Sequence, residues 1–291
     1  MMGSRNATRV NDAGGMAQIM IDLKPNRCDS FVYTHTDFDV TNLAKYLEKK
    51  KKEGEHFTFF HAFVTAIAKT IYNREKLNRF VQNRHIFQHN DVVISFVAKV
   101  AFDDKSEEIM IMVPVGPNDN IFTIKKFIMD KVDAIRSSKS SYEKEGANGA
   151  IDVLGKLPNI IRVPIVGLLK WMDDKGILPA SLVKDNLYYS SMIVSNIGTL
   201  GCNAIHHNIT NFGTSSSLAT MGEIKEKEVL IDGKKEIRKI CDWGISIDER
   251  VADGFYFIKS MDLIQYLFDH PELLEDDAST KIVLSDKKKN K

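Results

Sequence analysis

The stretch Asp248-Glu249-Arg250-Val251-Ala252-Asp253-Gly254 lies between two segments of different periodicity. Upstream, Trp243-Gly244-Ile245-Ser246-Ile247-Asp248 alternates with the period of two that marks a strand. Downstream, Phe257, Met261, Ile264 and Leu267 recur at helical spacing until Pro271 breaks the pattern. Asp253-Gly254 opens that helix. The stretch therefore reads as a charged turn joining a late strand to the last helix.

Working outward, Met192-Ile193-Val194-Ser195-Asn196 is a strand closed by Gly198 and Gly201. Another strand runs from Leu218 to Ile224 and turns at Asp232-Gly233 into Ile237 to Ile240; the Asp-Gly pair suits a turn with positive φ. In the N-terminal half, Phe31 to Val40 is rich in β-branched and aromatic residues and reads as a strand, after which Thr41 caps a helix through Leu43 and Leu47. Phe57 to Tyr72 is an apolar helix too rich in Phe, Ala and Ile to lie on the surface, so its His61 is expected to be packed. A hairpin begins at Ile86-Phe87 and returns through Val92 to Val100; a strand at Ile109 to Val115 and an amphipathic helix from Phe122 to Arg136 follow. Ser137 to Asn148 reads as a linker or mobile loop, and Ile151 to Trp171 as apolar helix broken near Pro158 and Pro164. A short helix begins at Leu178 to Leu182. Strands and helices mix without strict βαβ alternation, so the class is α+β.

Composition bounds the rest. The 291 residues suit one large domain or two small ones, and 43% hydrophobic content suffices for a core without disulfides or metal. A formal charge of +1 gives no electrostatic case for nucleic acid. Lys49 to Lys52 reads as a helix end and Lys287 to Lys289 as a fraying terminus. Cys28, Cys202 and Cys241 form no C-x-x-C pair, which suggests neither zinc nor a redox motif and fits a reducing compartment. Cys202 follows a glycine turn and reads as an idle thiol before a nucleophile. The N-terminus lacks a signal peptide's apolar stretch, and Ile160 to Met172, the most apolar segment, is too short to span a bilayer, so the default location is the cytoplasm. Gly213-Thr214-Ser215-Ser216-Ser217 reads as a solvated hydroxyl-rich loop, with phosphate or pantetheine binding as the alternative.

The opening stretch resembles the D-H-R-V-x-D-G signature of the acyltransferase core of the 2-oxoacid dehydrogenase complexes and the H-x-x-x-D-G of chloramphenicol acetyltransferase. Val194-Ser195-Asn196-Ile197-Gly198 resembles the same family's S-N-L-G segment, Val40-Thr41-Asn42-Leu43 its D-V-T-x-L start, and Asp269-His270-Pro271-Glu272 its terminal Asp-Pro-Glu pattern. The resemblance runs from roughly Met16 to Leu274. It divides the chain into an arm at residues 1–15, an acyltransferase-like domain at 16–275 with a helical insertion at 137–186, and a tail at 276–291. It implies a chloramphenicol acetyltransferase-like mixed sheet flanked by helices, a homotrimer or multiple of trimers, and an active-site tunnel between neighbouring subunits. No lipoyl-type or subunit-binding domain precedes the core, so the chain is expected to carry no swinging arm of its own. The apolar insertion is expected to add burial against the protein.

Carried over by motif, the base position is Glu249, which stands where the family has histidine; Ser195 is the oxyanion donor, Asp253 the structural carboxylate, and Arg250 and Gly254 are kept. One such hydroxyl donor is worth about 3 kcal/mol. Glu has an ordinary pKa near 4.3 and a thiol one near 8.5, so Glu249 falls short as a base by roughly four units unless its surroundings intervene. The bland alternative pairs Glu249 and Asp253 with Arg250 and other basic groups to hold the turn. His206 and His207 offer a replacement imidazole, of which at most one serves, because adjacent residues of an extended segment face opposite ways. No further ligands at suitable spacing make the pair a metal site. The resemblance thus implies acyl transfer between a thioester, with coenzyme A or acyl-coenzyme A as substrate, and a small-molecule or carrier-bound acceptor, with no tightly bound cofactor. The alternative is a catalytically inactive scaffold or ligand-binding protein that keeps the fold.

Overall fold

The computed structural model describes residues 6–11, 13–99, 108–137 and 153–284. Its centre is a six-stranded mixed sheet in the order β2 (Phe31–Asp39), β9 (Lys234–Asp248), β8 (Ser217–Ile231), β7 (Met192–Asn196), β5 (Val92–Lys99), β6 (Glu108–Val115). β7 runs parallel to both its neighbours; the other three pairings are antiparallel. A smaller sheet has the order β1 (Ala7–Arg9), β4 (His85–His89), β3 (Arg79–Gln82). Residues 7–9 of the N-terminal arm are thus an edge strand on β4, followed by α1 (Gly15–Leu23).

One face of the large sheet carries the main core. Trp243 of β9 is fully buried and packs edge-to-face on Phe38 of β2, on Phe63 of α3 (Phe59–Asn73) and on Phe268 of the last helix, at centroid distances of 4.8, 5.1 and 5.9 Å. Rings at these separations contribute beyond their buried area. α2 (Thr41–Lys52) and α4 (Ile121–Ser137) flank α3. His61 is buried, as expected, as the third residue of α3, where it closes a capping box with Thr58. Burial, helped by Lys125, pushes its pKa down to about 4. Thr41 does not cap α2: its hydroxyl accepts instead from Lys239 N of β9, 2.8 Å away.

The hairpin at Asp232-Gly233 forms as its sequence demands, both residues having positive φ, 49° and 77°. The segment expected to be a helical insertion departs from expectation twice. Its helix, α5 (Asn159–Asp174), starts after Pro158 but runs through Pro164 unbroken. Solvent reaches this turn on α5's outer side, where Ile160, whose carbonyl the missing N–H would have engaged, is 85% exposed. Nor does α5 add a buried apolar face: only Asp173 of it is buried, and Val163, Leu168 and Trp171 lie in solvent. A short α6 (Ala180–Val183) leads back to β7, and α7 (Gly254–Asp269) closes the fold. Of the tail, residues 276–284 lie along α3, where Lys69 Nζ donates to the carbonyls of Asp276 and Asp277. None of the described helices is long and apolar enough to cross a membrane.

Candidate active site

The turn after β9 is built around a buried ion pair. Arg250 Nε and Nη2 grip Asp248 Oδ1 and Oδ2 at 2.8 and 2.7 Å, and both side chains are essentially out of contact with solvent. Nη1 of the same arginine donates to the carbonyls of Lys24 and Pro25 at 3.0 and 2.9 Å. This clamp fixes the segment before β2 against the turn. It differs in part from the pairing expected for the turn: the partner of Arg250 is Asp248, not Glu249 or Asp253, while Glu249 does pair with another basic group, Lys24. Asp253 is the N-cap of α7 and accepts from Tyr256 N at 2.8 Å. Gly254 is the first residue of that helix.

Glu249 extends from the clamped turn and forms a half-buried ion pair with Lys24, through Oε1. Its other oxygen has no partner among the described residues. Sequence reading gave no sign of Lys24, which lies 225 positions away.

Ser195 sits on β7, half-buried, and its hydroxyl has no hydrogen-bond partner among the described residues. It begins a row across the sheet in which Ser195 pairs with Thr220, Thr220 with Gly244 and Gly244 with His35. The Thr220 hydroxyl is buried and unpartnered too. The chain leaves Ser195 through Gly198, over which a side chain is impossible: a Cβ there would stand 2.3 Å from the carbonyl oxygen of Gly222 on β8. Glu249 lies five residues beyond Gly244 and two strands from Ser195. With about 3.3 Å per residue along a strand and about 4.8 Å between strands, the two Cα atoms of one protomer are roughly 20 Å apart. One protomer therefore cannot bring these two side chains together.

The His206-His207 segment crosses the same face of the sheet. Ala204 N donates to Asp242 Oδ2 at 2.8 Å, and the His206 ring donates from Nε2 to the Thr34 carbonyl at 2.9 Å, beside Tyr33 and His35. His206 thus reaches the edge strand β2, three strands from Ser195. His207 is half-buried with no partner among the described residues. Cys202 is exposed, whereas Cys241 is buried and its thiol is pushed up to about 12 by that burial. No group of three or more His, Cys, Asp or Glu among the described residues is placed to hold a metal ion.

Residues 213–217 are not the solvated loop their composition suggests. All five are buried, and Ser215 Oγ joins Ser190 Oγ and Ser95 Oγ in a hydroxyl chain with separations of 3.0 and 2.7 Å. The hub that buries them is Arg27, which donates to the carbonyls of Thr210, Phe212 and Gly213. Asp173 of α5 accepts from Gly213 N at 2.8 Å and from the Tyr189 hydroxyl at 2.6 Å. Sequence analysis singled out neither residue; an isolated Arg and an isolated Asp carry no local pattern.

Residues 180–275 match the family model for the 2-oxoacid dehydrogenases acyltransferase (catalytic domain). A curated relative from Bacillus subtilis, the lipoamide acyltransferase component of the branched-chain alpha-keto acid dehydrogenase complex, is 26% identical over 227 residues; these make up 76% of this chain and 42% of that protein. The chain thus spans less than half the length of this relative. Among solved structures, a probable dihydrolipoamide acetyltransferase from Listeria monocytogenes shares the fold with a TM-score of 0.58 and 16% identity, covering 90% of this chain and 95% of that one. Chloramphenicol acetyltransferase does so with a TM-score of 0.53 and 10% identity, covering 91% and 98%. Over its C-terminal third this chain is similar in sequence to the 2-oxoacid dehydrogenases acyltransferase catalytic domain, and across most of its length it shares the fold of the dihydrolipoamide acetyltransferase and chloramphenicol acetyltransferase structures.

Proposed function

We propose that this chain moves an acyl group between a thioester, with coenzyme A as the carrier, and a thiol or hydroxyl acceptor, at a site formed between neighbouring copies of a homotrimer. The observation that carries the reading is the Ser195 hydroxyl. It stands half-buried on β7 with no partner among the described residues, in a segment that resembles the family's S-N-L-G stretch, whose hydroxyl serves as oxyanion donor. In such a step the acceptor loses its proton to a base and attacks the thioester carbonyl. The carbonyl oxygen becomes an oxyanion that accepts from Ser195, and collapse expels the other thiolate, which takes up the proton. The base is assigned to Glu249 of the neighbouring copy, acting through the oxygen that Lys24 leaves free, because the strand ladder keeps these residues far apart within one copy. The lipoamide chemistry of the curated relative makes dihydrolipoamide the acceptor to test first.

The Lys24–Glu249 ion pair favours a second reading, a fold kept for binding or scaffolding. An ammonium group occupying the carboxylate competes directly with a substrate proton for it. Steady-state assays with acetyl-coenzyme A and dihydrolipoamide separate the two. Turnover that falls at least a hundredfold in both Ser195→Ala and Glu249→Gln supports catalysis. Calorimetric binding of coenzyme A without turnover supports the scaffold, and turnover unaffected by either substitution removes the site.

A further inference from the structure

Two cavities meet beneath α5. The larger, about 550 Å³, is apolar and is walled by Leu154, Val166, Leu169, Leu182, Tyr188 and Phe212. The smaller, about 360 Å³, is cationic: Arg27, Arg84, Lys170, Lys175 and Arg250 line it, with Asp174 as the one carboxylate. Lys170, Asn211 and Phe212 belong to both, so the chambers are contiguous and Lys170 stands at their junction.

The cations of the cleft are not equally satisfied. Arg250 is neutralised by Asp248, Arg84 by Asp22 and Lys175 by Asp174. Lys170 has no partner among the described residues. Arg27 is 97% buried; its hydrogen bonds go to backbone carbonyls and its Nε is left unpartnered, while Asp248 and Asp173 offset its charge from nearby without a direct hydrogen bond. Burying a guanidinium is costly, burial lowers its pKa despite these carboxylates, and a bound anion would offset that cost further. The apolar hollow is partly open to solvent, and its volume is within the range of small-ligand sites.

We propose that the insertion forms a binding site for a single-chain amphiphile, its apolar tail in the larger chamber and its carboxylate or phosphate head between Lys170 and the Arg27 side of the cleft. Neither Ser195 nor Glu249 lines either chamber, so the proposal stands apart from the acyl-transfer reading. α5 is pinned over the site at its C-terminal end by Asp173, by Gln82 Nε2 donating to the Asp173 carbonyl at 2.6 Å, and by Asn83 N donating to Asp174 Oδ1. The exposed thiol of Cys28, on the wall of the apolar chamber, reports occupancy.

The test uses the full chain in a Cys202→Ser background, so that Cys28 is the exposed thiol that reacts. Decyl phosphate, kept below its micelle concentration, is compared with decanol, with inorganic phosphate and with vesicles of phosphatidylglycerol, by calorimetry and by the rate of Cys28 alkylation. The expected result is that decyl phosphate binds at least tenfold tighter than decanol or phosphate and slows alkylation at least fivefold. Lys170→Glu should remove the preference for decyl phosphate over decanol, and Leu169→Glu the preference for decyl phosphate over phosphate. Equal binding of phosphate with and without the chain, absence of binding, or unslowed alkylation overturns the proposal. So does protection of Cys28 by vesicles alone, which would make α5 a membrane-docking helix.

Discussion

Arg250 and Asp248, two residues apart, face each other in a bidentate ion pair that is sealed from solvent, with contacts of 2.7 and 2.8 Å. The pair decides where the adjacent Glu249 points, because the same guanidinium also ties down the carbonyls of Lys24 and Pro25 and so brings Lys24 within reach of Glu249. Removing one partner leaves the other charged and buried. Asp248→Asn and Arg250→Ala are each expected to lower stability by about 3–5 kcal/mol, measured by urea denaturation. A loss under 1 kcal/mol would show that the pair is not the keystone of the turn.

Asp173 holds α5 to the body of the fold through Tyr189 and Gly213. Asp173→Asn keeps the shape but loses the charge-assisted bonds. The expected outcome is at least tenfold faster amide hydrogen exchange across α5, with exchange in α3 unchanged. Equal acceleration in both helices would mean that α5 and the core open together.

His61 has its pKa lowered to about 4 by burial, against an ordinary value of 6.5. The folded state therefore binds this proton less readily than the unfolded chain. The contribution of His61 is complete above about pH 6.5 and is lost as pH falls from there towards 4, with a slope of at most about 1.4 kcal/mol per pH unit. His61→Gln keeps the capping-box geometry. Urea midpoints at pH 7.5, 5.5 and 4.5 should fall more steeply for the wild type than for this variant; parallel curves would contradict the assignment.

Gly213 has φ +84°, and a Cβ there would stand 2.3 Å from the Tyr188 carbonyl oxygen. Gly213→Ala meets left-handed strain and a backbone clash together, so it should cost more than about 2 kcal/mol. It should also loosen the carbonyls that hold Arg27. Thermal denaturation of the variant checks the first effect, and the amphiphile titration checks the second.

The parts of this fold written in local pattern were legible in the sequence. The alternation through Trp243 to Asp248, the Asp232-Gly233 turn and the cap at Asp253 each depend on neighbours within a few residues, and each appears where the pattern puts it. Family motifs supplied the architecture. What the sequence hid was non-local: the Lys24–Glu249 pair spans 225 positions, and the role of Arg27 depends on carbonyls more than 180 residues away. Composition misled where context overrode it. Residues 213–217 look like a solvated loop but are buried by that arginine, and α5 looks like core but leaves its apolar outer side in water.

The central claim, a reaction site shared between copies, is tested most directly by mixing two inactive variants. Ser195→Ala and Glu249→Gln are purified, co-refolded in equal amounts and assayed for transfer from acetyl-coenzyme A to dihydrolipoamide. Random assembly around a cyclic trimer leaves an intact Ser195 facing an intact Glu249 at about one junction in four, so about a quarter of wild-type activity should return. A mixture as inactive as its two components, beside an active wild type, would contradict a shared site, and an inactive wild type would contradict catalysis itself.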